Sequence, residues 1–448
     1  MYKPYIKPVS NIFPDIKIKE PRISKLVIFT VRVLGRVYLF FILGITRIVL
    51  QNGKTLFEAY KRSLENKSRC ILAFRHPYGG EPQILGWYIL FKLRSKARKA
   101  GIKFCRRPYI SFVYGFEVSR WGGKLVRWIM QGIGAMPVYH SKLDSASMNR
   151  IYKTITDGPY PLAIAPEGQV SYSAQTIPRL EQGTIRIGFR AAELLEKNGK
   201  DCPVEIIPIS FHFRYGWMGL RSLNKLLRKI EKYTGFTNDG TDFAGRLGRT
   251  RDYILEQNEK RYEIIPDSGQ SFNERVDVIM DAALNKAESL LAITRTSGNL
   301  VDRLYHIRQI YWDRIVIPGF KNLDHLSLLE RAIMDLSAGE AWHASRHMEL
   351  VDFVWYFRVP IPNETDPLHI KIEYVQNLWD FASRTMGGAF SNRIVNARPK
   401  MVHIQIGSII NLSERLKEYK ENKKTAIANS MEDLEKAYLD CIDRAAEY

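Results

Sequence analysis

Short apolar runs alternate with helical segments through much of the first half of the chain, and this alternation constrains the fold most strongly. Three of these runs are Cys70–Phe74, Tyr160–Gly168 and Pro203–Phe211, and the stretch Ile129–His140 ends in a shorter one. The segments between them have the apolar spacing and the stop signals of helices. Strands that alternate with helices typically join in a parallel sheet. The sequence therefore predicts an α/β fold with a mixed, mostly parallel sheet flanked by helices.

The pattern changes near Tyr215, and residues 220–395 are largely helical. Near the end, Lys400–Leu416 has the pattern of a strand, a turn at Gly407 and the start of a helix, and a final amphipathic helix follows. If these last elements belong to the α/β domain, the helical region is a large insertion; the alternative is a separate middle domain. The predicted division has four parts: a basic arm and anchor (1–60), the first part of the α/β domain (61–219), a helical insertion or accessory domain (220–398) and the closing strand and helix (399–448).

All of the net charge of +20 lies in the first third of the chain. Residues 1–150 contain 28 of the 67 Lys and Arg residues but only 7 of the 47 Asp and Glu residues, so they carry +21 and the rest carry −1. Such a region attracts nucleic acid or anionic lipid. No RNA-binding signature accompanies the mixed aromatic and basic residues of Gly86–Phe112, so nucleic acid is not a predicted partner. The four cysteines have no metal-ligand or CxxC spacing, which favours reduced thiols in the cytoplasm.

The segment Lys25–Leu50 favours lipid over nucleic acid. Its longest uncharged apolar run, Val37–Thr46, is shorter than the roughly 18 residues that a membrane-spanning helix needs. On a helical wheel the basic residues of the segment fall within an arc of about 60°: Lys25, Arg32, Arg36 and Arg47. This pattern predicts an interfacial helix that anchors residues 1–60 to anionic membrane lipids at the cytoplasmic face. A buried helix with its basic stripe in water and a true spanning helix are the alternatives.

A histidine and a carboxylate follow the first strand closely. His76 comes two residues after Phe74, and Glu81 follows five residues later, with Gly79 and Gly80 between them. Glycines give a loop the freedom to fold back, so Glu81 is placed to bind His76. A histidine oriented by a carboxylate is a general base for a hydroxyl group. The alternative is a stray loop histidine, with Glu81 serving only to cap the helix that begins near Pro82.

Four blocks, in order, resemble the glycerolipid acyltransferases of the lysophosphatidic acid acyltransferase type. They are "RHPYGGE", which matches the His-x4-Asp motif with Glu in place of Asp, "GIGAMPVYH", "APEGQVS" with "PRLEQG" downstream, and "VEIIPIS". The closing "VHIQIGSIINL" is similar to the last strand of that family. The resemblance covers about residues 68–215 and 399–448.

The resemblance implies transfer of a fatty acyl group to a hydroxyl of a lysophospholipid or related glycerolipid, as in phospholipid biosynthesis. The donor would be acyl-CoA or acyl carrier protein, and no bound cofactor or metal is implied. His76 would be the general base and Glu81 its orienting partner, while Glu167 and Gly168 would bind the acceptor. No covalent intermediate on the protein is implied.

The chain departs from the family at three cationic positions. His140 stands where an arginine normally binds the acceptor phosphate, Gln169 and Val170 replace a threonine and an arginine, and Leu180-Glu181-Gln182 lacks a lysine. Arginine binds phosphate better than neutral histidine does. Another cation would then hold the phosphate, or the acceptor is not a simple lysophosphatidic acid; the candidate cations are Arg75, Arg179 and Arg186. The alternative function is an inactive relative that binds lipid or tethers membranes.

Overall fold

The computed structural model describes residues 12–14, 20–138, 145–236, 240–294, 299–317, 323–354, 358–385 and 397–447. The strands within these ranges are β1 (Phe13–Pro14), β2 (Ile45–Gln51), β3 (Arg69–Phe74), β4 (Ser111–Gly115), β5 (Met136–Val138), β6 (Leu162–Ile164), β7 (Val204–Tyr215), β8 (Val316–Ile317), β9 (Lys400–Ile406) and β10 (Ile410–Asn411).

The helices of the first half are α1 (Lys25–Phe41), α2 (Gly53–Leu64), α3 (Glu81–Tyr88), α4 (Arg94–Lys99), α5 (Val118–Trp121), α6 (Gly123–Gly132), α7 (Ser145–Thr156) and α8 (Gly183–Lys197). The later ones are α9 (Trp217–Thr234), α10 (Phe243–Arg261), α11 (Phe272–Leu290), α12 (Leu300–Ile315), α13 (Leu328–Val354), α14 (Leu368–Thr385), α15 (Leu416–Glu421) and α16 (Lys423–Ala446). A π-helical turn, Ile89–Leu93, joins α3 to α4, and Leu323–His325 form a short 3₁₀ helix.

The main sheet has the order β2-β9-β7-β3-β6-β4-β5, with β10 paired to β7. Strands β3 to β7 are parallel to one another, and β2 is parallel to β9. The pairs β7–β9 and β7–β10 are antiparallel. The sheet is therefore mixed and mostly parallel, and it is flanked by helices, which confirms the predicted α/β class.

The central strand β3 is buried on both faces, as expected for a parallel sheet between two layers of helices. Leu72 and Phe74 face a core shared with α2, α3 and the π-helical turn. Ile71 and Ala73 face the opposite core, which contains side chains of α7, α8 and α16. Because β3 and β6 are parallel neighbours, the loops after their carboxyl ends meet at one edge of the sheet.

Helices α9 to α14 form their own hydrophobic core, with Leu255, Leu284 and Leu378 fully buried in it. The chain then returns to the sheet, where β9 lies between β2 and β7. The first and last segments of the chain thus complete the sheet on the same side. Two predicted strands have different lengths from those expected, because β6 covers only Leu162–Ile164 and β7 continues to Tyr215.

The segment Lys25–Leu50 is not one helix. Its helix, α1, ends at Phe41, and β2 begins at Ile45 after Gly44, whose φ of 68° is a left-handed conformation that glycine adopts without strain. β2 then pairs with β9, so Arg47 lies on a strand. Together with α2, β2 packs in the core of the α/β layers, so the region predicted as anchor continues into the sheet before residue 60.

None of the helices in the described ranges combines the length and the apolar character that crossing a membrane requires.

Candidate active site

His76 and Glu81 are brought together as the sequence predicts. His76 Nδ1 donates a hydrogen bond to Glu81 Oε2 over 2.7 Å, because an ionised carboxylate only accepts. The Glu81 side chain is fully buried, whereas His76 is 19% exposed. Nε2 of His76 makes no hydrogen bond to any residue that the structure describes. The pair has the arrangement of a general base and the group that fixes its tautomer.

Backbone amides fix the carboxylate of Glu81. The Tyr78 N–H donates to Oε1 over 3.1 Å, and the Gly79 N–H donates to Oε2 over 2.8 Å. Gly79 has a φ of 90°, which a side chain would oppose, and this turn lets the loop fold back on itself. Glu81 is the first residue of α3 and Gly80 is the N-cap, so the carboxylate holds the loop as well as the histidine.

Glu167 and Arg75 do not line an open acceptor site, contrary to the prediction. Both side chains are buried, and Arg75 Nε donates to Glu167 Oε1 over 2.9 Å. The other oxygen of Glu167 accepts the backbone N–H of His76 over 2.6 Å. The Arg75 guanidinium also donates to the carbonyls of Ser173 and Thr176. This buried ion pair joins the loop after β3 to the loop after β6. Separating the two loops would leave an unpaired charge in the interior, which costs several kcal/mol.

Gly168 lies beside Glu167 in a left-handed conformation, with a φ of 69°. A Cβ at this position would come within 2.5 Å of Glu181 Oε1. Glu181 is held nearby, since its backbone N–H donates to the Pro166 carbonyl over 2.6 Å and its carboxylate accepts from the hydroxyl of Tyr305. The Pro-Glu-Gly turn and the downstream "PRLEQG" block therefore pack directly against each other.

The remaining residues predicted to bind the acceptor or its phosphate are Arg179, Arg186 and His140. Arg179 is exposed on the loop before α8. Arg186 is exposed in the first turns of α8, where its guanidinium donates to Gln182 Oε1 over 2.9 Å. His140 lies outside the described residues.

Residues of α12 and α14 reach the site, and sequence reasoning missed them. Arg308 of α12 donates to Gln169 Oε1 over 3.2 Å, next to Gly168. Glu373 of α14 is buried and accepts hydrogen bonds from the Tyr78 hydroxyl, from Ser173 Oγ over 2.8 Å and from the Ala174 N–H over 3.0 Å. These partners are too distant in sequence for a local pattern to reveal them.

Lys400, at the start of β9, was also missed. Its side chain is buried, with Nζ 5.0 Å from the centre of the Phe213 ring and 6.0 Å from that of Tyr78. Burial lowers the pKa of Lys400 to about 8, although the Glu81 carboxylate acts in the opposite direction.

His343 and His347 are four positions apart on α13. Such a pair can bind a metal ion only if further ligands approach. His347 Nδ1 is instead hydrogen-bonded to the Tyr262 hydroxyl at 2.7 Å. Across the described ranges, no group of three or more His, Cys, Asp or Glu side chains is arranged to hold a metal ion.

Comparison of the whole chain with models of known protein families and with curated proteins finds no match.

Proposed function

We propose that the chain is a membrane-associated O-acyltransferase. It would move a fatty acyl group from acyl-CoA or acyl carrier protein to a hydroxyl of a lysophospholipid or a related glycerolipid. The observation that carries the proposal is the His76–Glu81 pair, with a buried carboxylate on Nδ1 and no described protein partner at Nε2. The motif resemblance around these residues supplies the reaction class.

In the proposed reaction His76 Nε2 takes the proton from the acceptor hydroxyl as its oxygen attacks the thioester carbon. Glu81 stabilises the imidazolium that forms. When the tetrahedral intermediate collapses, the carbon–sulfur bond breaks, and the imidazolium returns the proton to the leaving thiolate. The products are an ester and a free thiol, and the histidine is neutral again.

An exposed apolar face on α1 supports the membrane location. Eight large apolar side chains of this helix are 40–66% exposed, and we call them the apolar surface: Leu26, Phe29, Val33, Leu34, Val37, Tyr38, Phe40 and Phe41. Lys25 and Arg32 are exposed on the same helix, which suits anionic headgroups. Exposed apolar area of this extent is unusual on a surface that faces only water.

The apolar surface lies close to the candidate active site. Leu43, just past the end of α1, lies so near Gly80 in the loop that carries His76 and Glu81 that a Cβ added at Gly80 would be 3.1 Å from Leu43 Cδ1. A bilayer bound at α1 would therefore meet the entrance to the site, where an acyl chain and a lysolipid both partition. Arg36 has a different role from the one predicted, because its guanidinium donates to the carbonyls of Ile45 and Thr46.

The α12 residue Arg308 is our candidate for the cation that the motif blocks lack. It contacts Gln169, the residue that replaces the family's threonine, beside the Gly168 turn. Arg75 is enclosed by its own partners, so it is not available to an acceptor phosphate. A guanidinium supplied by the helical region would bind that phosphate in the geometry that arginine favours.

The test is release of thiol from palmitoyl-CoA on anionic liposomes, with the purified protein and the His76→Ala variant in parallel. Acceptors would be lysophosphatidic acid, other lysophospholipids and a phosphate-free monoacylglycerol. We expect release that depends on an acceptor and falls by at least about a thousandfold in the variant. Tight liposome binding without release from either acyl-CoA or acyl carrier protein would instead favour the inactive lipid-binding relative.

A further inference from the structure

A buried carboxylate from the helical region joins the two loops of the candidate active site. Glu373 lies on α14, yet one of its oxygens accepts from the hydroxyl of Tyr78 in the loop that carries His76 and Glu81. The same carboxylate accepts from Ser173 Oγ over 2.8 Å and from the Ala174 N–H over 3.0 Å. Ser173 and Ala174 belong to the loop that follows Gly168. Glu373 therefore bonds to both loops at once.

These bonds complete a closed ring of contacts around the histidine. Tyr78 is linked to His76 through Glu81, which accepts the Tyr78 N–H and the His76 Nδ1–H. On the other side, Arg75 donates to the Ser173 carbonyl and to Glu167, and Glu167 accepts the His76 N–H. Glu373 is the member of the ring that comes from outside the α/β layers.

Burying a carboxylate at this position costs free energy, which indicates that the side chain has a structural role. Burial raises the pKa of Glu373, and the hydrogen bonds from Tyr78, Ala174 and Ser173 act against that rise. An apolar residue of similar size would fill the same space without this desolvation cost. The three donors come from two separate loops, so what the carboxylate adds is a fixed relation between them.

A second contact from α14 acts on the same loop. One turn after Glu373, Asn377 Nδ2 donates to the Tyr172 carbonyl over 2.8 Å. Tyr172 has a φ of 58°, a left-handed conformation that is unfavourable for a residue with a side chain. The loop after Gly168 therefore keeps a strained shape while two α14 side chains hold it.

We propose that Glu373 is a positioning residue for the reaction. Through Tyr78 it holds the loop that places Glu81 on His76, and through Ser173 it holds the loop that follows the acceptor-side turn at Gly168. The helical region thus determines the geometry of a site whose motifs all lie outside it. This inference rests on the proposed function.

The experiment compares Glu373→Met, Tyr78→Phe and the double variant in the thiol-release assay. Each single substitution removes the hydrogen bond between Tyr78 and residue 373 from a different end, and methionine has nearly the length of glutamate without its carboxylate acceptor. We expect kcat to fall about tenfold in each single variant with KM for the acyl donor changed less than about twofold. The double variant should be no slower than the slower single one, because a shared bond is lost only once.

Glu288→Met is the matched control. Glu288 is also a buried carboxylate of the helical region, but it pairs with Arg303, and its side chain makes no hydrogen bond to the described residues of either loop. The Glu288 variant should be less stable in urea without a lower kcat. A kcat loss in all variants that simply follows their stability loss, or additive effects of Tyr78→Phe and Glu373→Met, would overturn the proposal.

Hydrogen exchange gives a readout that does not depend on turnover. The amides of four residues are bonded within the ring: His76, Tyr78, Gly79 and Ser171. These amides should exchange faster in Glu373→Met and at the wild-type rate in Glu288→Met. If the wild-type protein proved inactive, the proposed function would be rejected, but faster exchange in Glu373→Met would still establish the link between the loops. Unchanged exchange in Glu373→Met would reject that link.

Discussion

Two features of the loop after β6 require a glycine at position 168. The backbone is left-handed there, and a Cβ would run into the carboxylate of Glu181. Glu181 has little room to move, since its backbone bonds to Pro166 and its side chain bonds to Tyr305. The glycine of the Pro166-Glu167-Gly168 turn therefore has a structural explanation in this chain before any contact with substrate is considered.

We expect Gly168→Ala to be more destabilising than the same change at Gly199. Gly199 has nearly the same φ, 66°, but no atom lies within 4 Å of its added Cβ. Gly199→Ala should therefore cost only the conformational term, about 1–2 kcal/mol. Gly168→Ala should cost roughly 1–2 kcal/mol more because of the clash, and it should lower acyl transfer. Urea unfolding of both variants measures the difference, and equal losses would show that Glu181 moves aside freely.

Arg308→Ala should change the preference for acceptors. If Arg308 binds the acceptor phosphate, its loss should raise KM for lysophosphatidic acid about tenfold or more and leave KM for monoacylglycerol nearly unchanged. Arg186→Ala tests the competing assignment, because Arg186 is an exposed candidate cation on α8 whose guanidinium bonds to Gln182. A KM increase in the Arg186 variant and none in the Arg308 variant would place the phosphate on the α8 side.

Sequence distance separates the site residues that could be predicted from those that could not. His76 and Glu81 are five positions apart, so a turn with two glycines was enough to predict their contact. Tyr78 and Glu373 are 295 positions apart, and Gln169 and Arg308 are 139 apart. Contacts of that kind depend on how whole helices pack. Arg75 illustrates the opposite error: its charge suggested a ligand, but only the fold reveals its burial.

At the scale of elements, the largest error concerned the end of α1. A periodic pattern of basic residues extended past the point where the helix stops, and Arg47 fitted the helical wheel by coincidence. The signals for a break were the left-handed Gly44 and the β-branched residues that follow it in β2. The strand is stabilised there by pairing with β9, a partner about 355 positions later in the chain. The prediction of β3 was nearly correct because a continuous apolar run is typical of a central parallel strand.

A charge in the apolar surface should weaken membrane binding. Phe29 is 63% exposed on α1, so Phe29→Glu should leave the fold intact. It should lower partitioning onto anionic liposomes by at least about tenfold, since it removes roughly 2 kcal/mol of burial and adds repulsion. Ile265→Glu is the control, because Ile265 is 92% exposed and lies between α10 and α11. Liposome cosedimentation gives the comparison, and equal binding by the two variants would move the membrane contact away from α1.

For the whole molecule, the predicted class was correct but the strand order was not accessible from sequence. Alternating strands and helices indicate a parallel sheet, because each crossover is a local feature. The placement of β2 and β9 on the far side of β7 depends on contacts between the two ends of the chain. The helical region lies between these strands in sequence, and it packs around its own core while Glu373 and Arg308 contact the site. Its stability and the geometry of the site are therefore linked through a few polar side chains.

Buried histidines should make the whole fold sensitive to acid. Burial lowers the pKa of His212 from 6.5 to about 3, with Arg75 and Arg214 nearby adding to the effect. Burial also lowers the pKa of His347 and of His369 to about 4. An unfolded chain binds protons at these histidines below about pH 6.5, whereas the folded chain resists protonation until the pH approaches the lowered values. The stability that they contribute is therefore complete above pH 6.5 and is lost as the pH falls.

His212 is the clearest case because it is fully buried, with Ser210 Oγ 2.9 Å from its Nε2 and no hydrogen-bond partner for its Nδ1 among the described residues. For each unit by which the pH falls below 6, proton uptake by His212 on unfolding should lower the free energy of unfolding by about 1.4 kcal/mol. Urea unfolding of the wild-type protein and of His212→Gln from pH 7.5 to pH 4.5 measures this pH dependence. The variant should be less stable at neutral pH if the glutamine packs poorly, but its stability should fall less steeply with acid. Parallel pH curves for the two proteins would mean that His212 takes up no extra proton on unfolding, and the acid sensitivity would then have to come from His347, His369 or carboxylates.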